Sequence, residues 1–189
     1  MNDTARTATS PEGGHGCWAS ARRNPRRSSS VEGMSTHAEI VTSLLSERTV
    51  VIVTLGRRSG MARTTEIWTT ALFGDLYICG SPNATKPGVL HQPRDWFANL
   101  LAQPEFLLRL TRGAEVELPA RAERVLDVAG RSRILSAPST AFYRNAVSFE
   151  VALAHSPIVK VHFEAELQWL SVAIADAWEH VVAGEATAG

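Results

Sequence analysis

The residues best suited to chemistry are three arginines, a serine and a glycine that lie within one short segment. Arg57, Arg58, Ser59, Gly60 and Arg63 follow one run of strand-forming residues and precede another. Guanidinium groups bind phosphate or carboxylate in bidentate fashion, and glycine lets backbone N–H groups approach an anion closely. The segment therefore predicts a site that holds the anionic tail of a cofactor. The residues leave one alternative open, a solvated turn between two strands, because the P-loop lysine and helix are missing.

Composition bounds the class of protein. The chain has 189 residues, of which 44% are hydrophobic, and a formal net charge of zero. We expect one domain with a proper core and no global attraction to nucleic acid or to an anionic membrane. No apolar run approaches the roughly 18–20 residues that span a bilayer. Cys17 and Cys79 lie in unlike settings, which argues against a disulfide and favours a cytoplasmic protein. The six histidines lack ligand spacing, so no metal site is predicted.

Two regions differ in composition. Residues 1–33 are poor in aliphatic residues and contain the basic stretch ARRNPRRSSS, so we predict a disordered tail without function. Residues 34–189 are predicted to form the folded domain. It begins with a helix that Ser35 or Thr36 caps.

Hydrophobic periodicity predicts six strands and several helices in that domain. The strands are expected at about 48–55, 63–73, 76–81, 105–111, 115–126 and 157–163. Helices are expected over residues 93–103 and over 127–150 with a break at Pro138. A last amphipathic helix is expected over Glu164–Ala183, with Gly184 after its end. A sheet of this size with tight hairpins is mostly antiparallel and tends to close into a barrel. The predicted class is mainly β (α+β).

Two motifs carry a resemblance to a known family. The strings GRRSGMARTTEIW and WFANLLAQP occur in the order and at the spacing typical of the deazaflavin-dependent nitroreductases and quinone reductases. The chain resembles that family over about residues 48–126. The resemblance implies an FMN-binding-like split β-barrel, the deazaflavin coenzyme F420 as cofactor and a homodimer.

The resemblance also assigns roles to individual residues. It assigns the phosphate and polyglutamate tail of the cofactor to the arginine segment, Arg57, Arg58, Ser59, Gly60 and Arg63. It places Thr65 against the ring of the cofactor and Ser81 in a segment that wraps the cofactor. It places Trp96 near the cofactor or in the barrel wall, with Lys86 as a further positive charge. Tyr143 is the candidate that would orient or protonate the acceptor, and its alternative is a half-buried packing tyrosine.

The function predicted on this basis is hydride transfer from a reduced deazaflavin to a small acceptor such as a quinone, a nitro compound or an activated alkene. Two alternatives stay open, an FMN-binding split-barrel protein and a cofactor- or ligand-binding module without turnover. Of the remaining residues, Cys79 is expected to be a small core residue. Arg121, Arg124, Arg131 and Arg133 are expected to form a solvated, charge-rich face.

Overall fold

The computed structural model describes residues 35–83, 94–141 and 147–187, with residues 181–187 described by their backbone alone. These ranges belong to one compact unit, Met34–Gly189. The predicted tail over residues 1–33 and the predicted site residues Lys86 and Tyr143 lie outside the described residues.

Six strands close into one antiparallel barrel. In chain order they are β1 (Thr49–Leu55), β2 (Ala62–Leu72), β3 (Asp75–Cys79), β4 (Glu105–Leu110), β5 (Val116–Arg124) and β6 (Ile158–Phe163). Their order around the barrel is β1-β2-β3-β6-β5-β4, and β4 pairs with β1 to complete the ring. Closure pairs both edges of the sheet, which removes the exposed strand edges. The predicted fold class, a six-stranded split barrel of the α+β type with flanking helices, is confirmed.

Alternation along each strand decides which side chains fill the barrel, because successive side chains point to opposite faces of a sheet. In β1 the buried positions are Val50, Ile52 and Thr54, and their neighbours in sequence are only half-buried. Leu108 lies directly opposite Ile52 on β4, and both side chains are fully buried. The β-branched run that precedes the arginine segment is therefore one wall of the barrel core.

Five α-helices lie outside the barrel in the described ranges, together with short 3-10 helices at Pro138–Thr140 and Ala165–Leu167. The α-helices are α1 (His37–Ser46), α2 (Asp95–Ala102), α3 (Val128–Ser136), α4 (Phe149–His155) and α5 (Gln168–Thr187). Thr36 caps α1 through a capping box with Glu39, as predicted. The helix α5 continues beyond Gly184, so the predicted end of this helix is wrong.

The strand β3 is buried on both faces. Leu76 and Ile78 belong to the core cluster inside the barrel. Tyr77 and Cys79 point to the other side, where they join a second cluster with Ile134 and other side chains of α3 and α4. Cys79 is therefore a small core residue, as expected, and this second cluster attaches α3 and α4 to the outside of the barrel.

Arg131 contradicts the prediction of a solvated arginine face. Only 8% of this residue is exposed. Its guanidinium group donates hydrogen bonds to the carbonyl oxygens of Leu153 (2.9 Å), Val125 (3.2 Å) and Ser156 (2.8 Å). Its neighbours Arg121, Arg124 and Arg133 are exposed. The prediction failed at Arg131 because three carbonyl groups, one just after β5 and two at the end of α4, converge on this position. The sequence of α3 gives no indication of that.

Candidate functional site

The arginine segment forms a tight loop between β1 and β2. The carbonyl oxygen of Gly56 accepts hydrogen bonds from the N–H groups of Ser59 (3.1 Å) and Gly60 (2.7 Å), and the N–H of Gly56 donates to Met61 O (2.8 Å). Gly60 has a φ of 63°, a backbone conformation that glycine adopts at little cost. A Cβ on Gly56 would lie 2.7 Å from the hydroxyl of Ser59. The two glycines therefore fix the shape of the loop that presents the arginines.

The helix α2 holds this loop in place through one buried amide. Asn99 Oδ1 accepts a hydrogen bond from the backbone N–H of Arg57 (3.1 Å), and Asn99 Nδ2 donates to Thr54 Oγ1 (3.3 Å). Both Asn99 and Thr54 are buried. The loop is therefore attached to the barrel from outside its own hairpin.

A cleft of about 420 Å³ opens beside the loop, and we name it the arginine cleft. Its walls are formed by residues of the loop, β2 and α2, namely Gly56, Arg57, Arg58, Ser59, Arg63, Thr64, Thr65, Asp95 and Asn99. The three arginines are exposed. Asp95 Oδ1 lies 3.5 Å from Arg57 Nη1, and it is the one carboxylate of the described lining. Three guanidinium groups against one carboxylate leave the cleft electropositive.

A second cleft of about 300 Å³ lies between the strands β2 and β3 and the start of α2, and we name it the tryptophan cleft. Its lining comprises Thr65, Glu66, Ile67, Trp68, Cys79, Gly80, Ser81, Arg94 and Trp96. Arg94 spans it at one end, where Nη2 donates to Ser81 Oγ (3.1 Å) and Nε donates to Ser81 O (3.3 Å). Burial raises the pKa of the Cys79 thiol to about 12, so this thiol stays protonated and is no nucleophile at neutral pH.

Gly80 allows the indole of Trp96 to form a wall of this cleft. A Cβ at Gly80 would lie 3.0 Å from Trp96 Cζ2 and 3.0 Å from Pro157 Cγ. Trp96 is 7% exposed and contacts Phe97 edge-on, with 5.6 Å between the ring centroids. Its ring is therefore both part of the core and part of the cleft wall.

Thr65 is the lining residue that the two clefts share. The structure brings Arg57, Arg58, Ser59 and Arg63 to one side of it, and it brings Ser81 and Trp96 to the other. Gly60 shapes the loop. Ser59 Oγ accepts a hydrogen bond from the backbone N–H of Met61 (3.3 Å).

Sequence reasoning missed three residues of this region, Arg94, Asp95 and Asn99. Asn99 carried a usable indication, because it is a single amide within the apolar stretch WFANLL. A lone polar residue on the buried face of a helix needs hydrogen-bond partners. Arg94 and Asp95 had no such indication, since charged residues before or in the first turn of a helix are common on protein surfaces.

Two further observations bound the chemistry. Within the described ranges, no three side chains of the His, Cys, Asp and Glu types lie close enough together to hold a metal ion. None of the helices described combines the length and the apolar character that crossing a membrane requires.

Comparison with known proteins gave matches among solved structures. The chain matches no protein-family model and no curated protein. A proposed pyridoxamine 5′-phosphate oxidase from Listeria innocua aligns at 11% identity over 67% of this chain and 92% of its own, with a TM-score of 0.49. A FAD-binding protein from Mesorhizobium loti aligns at 13% identity over 69% and 89%, with a TM-score of 0.48.

A third solved structure is a Clostridium acetobutylicum protein of the pyridoxinephosphate oxidase family, related to general stress protein 26. It aligns at 12% identity over 67% of this chain and 81% of its own, with a TM-score of 0.47. All three scores are below 0.5, so the fold assignment rests on the strand pairing of this chain itself.

Proposed function

We propose that this chain is an oxidoreductase that binds a reduced deazaflavin, with coenzyme F420 as the first candidate, and transfers a hydride to a small acceptor. Acceptors of this class are quinones, nitro compounds and activated alkenes. The observation that supports the proposal most is that Thr65 lines both the arginine and the tryptophan cleft, so the two clefts are neighbours. A ligand with a flat ring and an anionic tail needs an apolar cleft and a cationic cleft side by side.

The lining of the two clefts suits such a ligand. Their volumes, about 300 and 420 Å³, lie in the usual range of small-molecule sites. When bound, a deazaflavin supplies the hydride itself. Arg57, Arg58 and Arg63 would neutralise its tail. Trp68 and Trp96 would form apolar walls that limit the access of water to the ring.

The proposal needs no protein nucleophile, which agrees with the protonated state of the Cys79 thiol. Tyr143 is proposed to orient or protonate the acceptor. The resemblance to the deazaflavin-dependent family adds a homodimer to the proposal, and the unlike settings of Cys17 and Cys79 in the sequence add a cytoplasmic location. Sedimentation of the purified protein tests the homodimer.

FMN is the alternative cofactor, and one observation favours it. Asp95 partly offsets the charge of Arg57. Arg58 and Arg63 have no carboxylate partner among the described residues. Two guanidinium groups are enough to balance a single phosphate dianion. The longer anionic tail of F420 would use all three arginines.

Titration of the purified protein with oxidised F420 and with FMN, followed by fluorescence, tests the cofactor. We expect saturable binding of one of the two. The reduced complex is then mixed with menadione, and the absorbance of the cofactor is followed. Reoxidation that depends on the protein supports the proposed reaction. Binding without reoxidation supports a binding module, and binding of neither cofactor contradicts both functions.

A further inference from the structure

A third cleft lies away from the two already described, between α3 and the outer face of β3, β6 and β5. Its volume is about 510 Å³, and it shares no lining residue with the arginine or tryptophan cleft. We name it the α3 cleft. Its lining includes aromatic and charged side chains, namely Phe73, Asp75, Tyr77, Arg124, Arg133 and Lys160. The proposed oxidoreductase function makes no use of this cleft.

The carboxylates around the α3 cleft all have partners within the protein. Asp75 Oδ2 lies 2.8 Å from Lys160 Nζ and accepts a hydrogen bond from the Tyr77 hydroxyl (3.3 Å). The carboxylate of Asp127 accepts a hydrogen bond from the N–H of Gly130 (2.5 Å), and Glu123 lies 2.6 Å from His162 Nε2. None of these three acidic groups is paired with an arginine. With Arg124, Arg133 and Lys160, the described lining carries as many cations as carboxylates.

Each of the two arginines of the lining lies near an aromatic ring, and the ring beside Arg133 belongs to the cleft lining itself. The Cζ of Arg133 lies 3.6 Å from the centroid of Phe73, and that of Arg124 lies 5.7 Å from the centroid of Phe97. A guanidinium group that stacks on a ring uses its face, so the N–H groups at its edge stay available to an acceptor. In the part of the chain that the structure describes, neither arginine has a carboxylate partner.

A third arginine raises the positive potential behind the lining. Arg131 is buried, and its charge is met by backbone carbonyl groups rather than by a carboxylate. Charges that are shielded from water act over longer distances than exposed ones. The charge of Arg131 adds to a lining in which cations and carboxylates are equal in number. The positive side of the α3 cleft is therefore where Arg124 and Arg133 lie, and an anion would bind there.

Apolar side chains complete the lining. The ring of Phe73 lies beneath Arg133, and the side chain of Ile134 is buried beside the cleft. Leu126, another lining residue, is 67% exposed. A bare inorganic ion would leave this apolar surface in water, whereas an organic anion would cover it.

We propose that the α3 cleft is a second binding site, which takes a small organic anion. Arg124 and Arg133 bind its carboxylate or phosphate group, and its apolar body lies on Phe73 and Leu126. The site is separate from the proposed cofactor site, and its occupation does not depend on the redox reaction.

Nuclear magnetic resonance of the arginine Nε–H groups in the full-length chain tests this proposal. The probe is naphthalene-2-carboxylate, and its neutral amide and inorganic phosphate serve as comparisons. We expect the carboxylate to shift the signals of Arg124 and Arg133 in a saturable way, and the amide to leave them unchanged. Inorganic phosphate should bind more weakly. No saturable shift up to about 1 mM carboxylate, or an equal response to the amide, overturns the proposal.

Variants locate the site. Arg124→Gln and Arg133→Gln should each weaken binding of the carboxylate about tenfold or more, and exposed Arg112→Gln should not. If loss of the contact with Phe73 unfolds Arg133→Gln, Arg133→Lys is used in its place, because it keeps the positive charge but lacks the guanidinium group. The Arg57→Ala/Arg58→Ala double variant should bind the probe normally. Normal binding by Arg124→Gln/Arg133→Lys, or loss of binding in the Arg57→Ala/Arg58→Ala variant, overturns the assignment.

Discussion

The side chain of Asn99 accepts a hydrogen bond from the backbone N–H of Arg57 at 3.1 Å, although the two residues are 42 positions apart in the chain. This bond connects the helix α2 to the loop that presents the arginines. The other end of the same amide donates to Thr54 Oγ1 inside the barrel (3.3 Å). The buried side chain of Asn99 therefore connects the barrel core and the helix α2 to the arginine cleft, where the tail of the cofactor is proposed to bind.

Replacing Asn99 should affect stability and cofactor binding together. Asn99→Ala leaves a buried hydroxyl and a backbone N–H without their partner, which costs about 1–3 kcal/mol of unfolding free energy. The loop loses its attachment to α2, so cofactor affinity should also fall. Urea unfolding and cofactor titration measure the two effects.

Thr54→Val is the matched control, because it removes only the hydrogen bond inside the barrel. It should lower stability and leave cofactor affinity unchanged. Equal losses of affinity in both variants would show that the loop does not depend on the bond from Asn99.

Removing positive charge from the arginine cleft should weaken cofactor binding, and removing its negative charge should strengthen it. Arg57→Ala/Arg58→Ala removes two exposed cations and should weaken binding of an anionic cofactor about tenfold or more. Asp95→Asn removes the carboxylate 3.5 Å from Arg57 and should strengthen binding. Both effects should shrink as salt is added, because these groups are exposed to solvent.

Arg112→Ala, at an exposed position in the turn between β4 and β5, is the control for nonspecific loss of positive charge. The melting temperatures of all these variants should stay close to that of the wild type. An unchanged cofactor affinity in Arg57→Ala/Arg58→Ala would contradict the proposal that the arginine cleft binds the tail of the cofactor.

Arg131 should be a stability residue rather than a solvated one. Arg131→Met fills the volume but leaves the carbonyl oxygens of Leu153, Val125 and Ser156 without donors, at a cost of about 1–3 kcal/mol for each buried group that water cannot reach. We expect a loss of at least about 2 kcal/mol in urea unfolding. Exposed Arg121→Met, which loses a surface ion pair with Glu105, should lose less than about 1 kcal/mol.

The buried thiol of Cys79 and the hydroxyl of Tyr77 should make the folded state less stable at alkaline pH. Burial raises the pKa of Cys79 from 9.0 to about 12. Burial, followed by the charge of Asp75 and its hydrogen bond, raises the pKa of Tyr77 from 10.0 to about 12. The folded chain therefore keeps protons that the unfolded chain releases. The stability linked to them is complete below about pH 9 and falls as the pH rises towards 12, by at most about 1.4 kcal/mol per pH unit for each group.

Urea unfolding at a series of pH values measures this slope. Tyr77→Phe and Cys79→Ala should each make the alkaline decline shallower, because each removes one of the titrating groups. A decline with the same slope in both variants would mean that other groups cause it.

The sequence by itself determined the barrel and the arginine loop. The continuous β-branched run from Val50 to Thr54 predicts a strand, and glycines mark the turn at Gly56 and Gly60. These features are local, because a strand's period and a turn's backbone angles depend on adjacent residues. The grouping of Arg57, Arg58 and Arg63 also follows from their nearness in the chain.

Only the tertiary structure decided which distant residues meet. Asn99 binds the backbone of Arg57, Arg94 binds Ser81, and Arg131 donates to three carbonyl groups from two segments. Such contacts depend on how α2 and α3 lie on the barrel, and neither helix's own residues specify that placement. Burial is a property of the whole fold, so a sequence that shows an arginine as charged cannot tell whether water or the chain's own carbonyl groups will meet that charge.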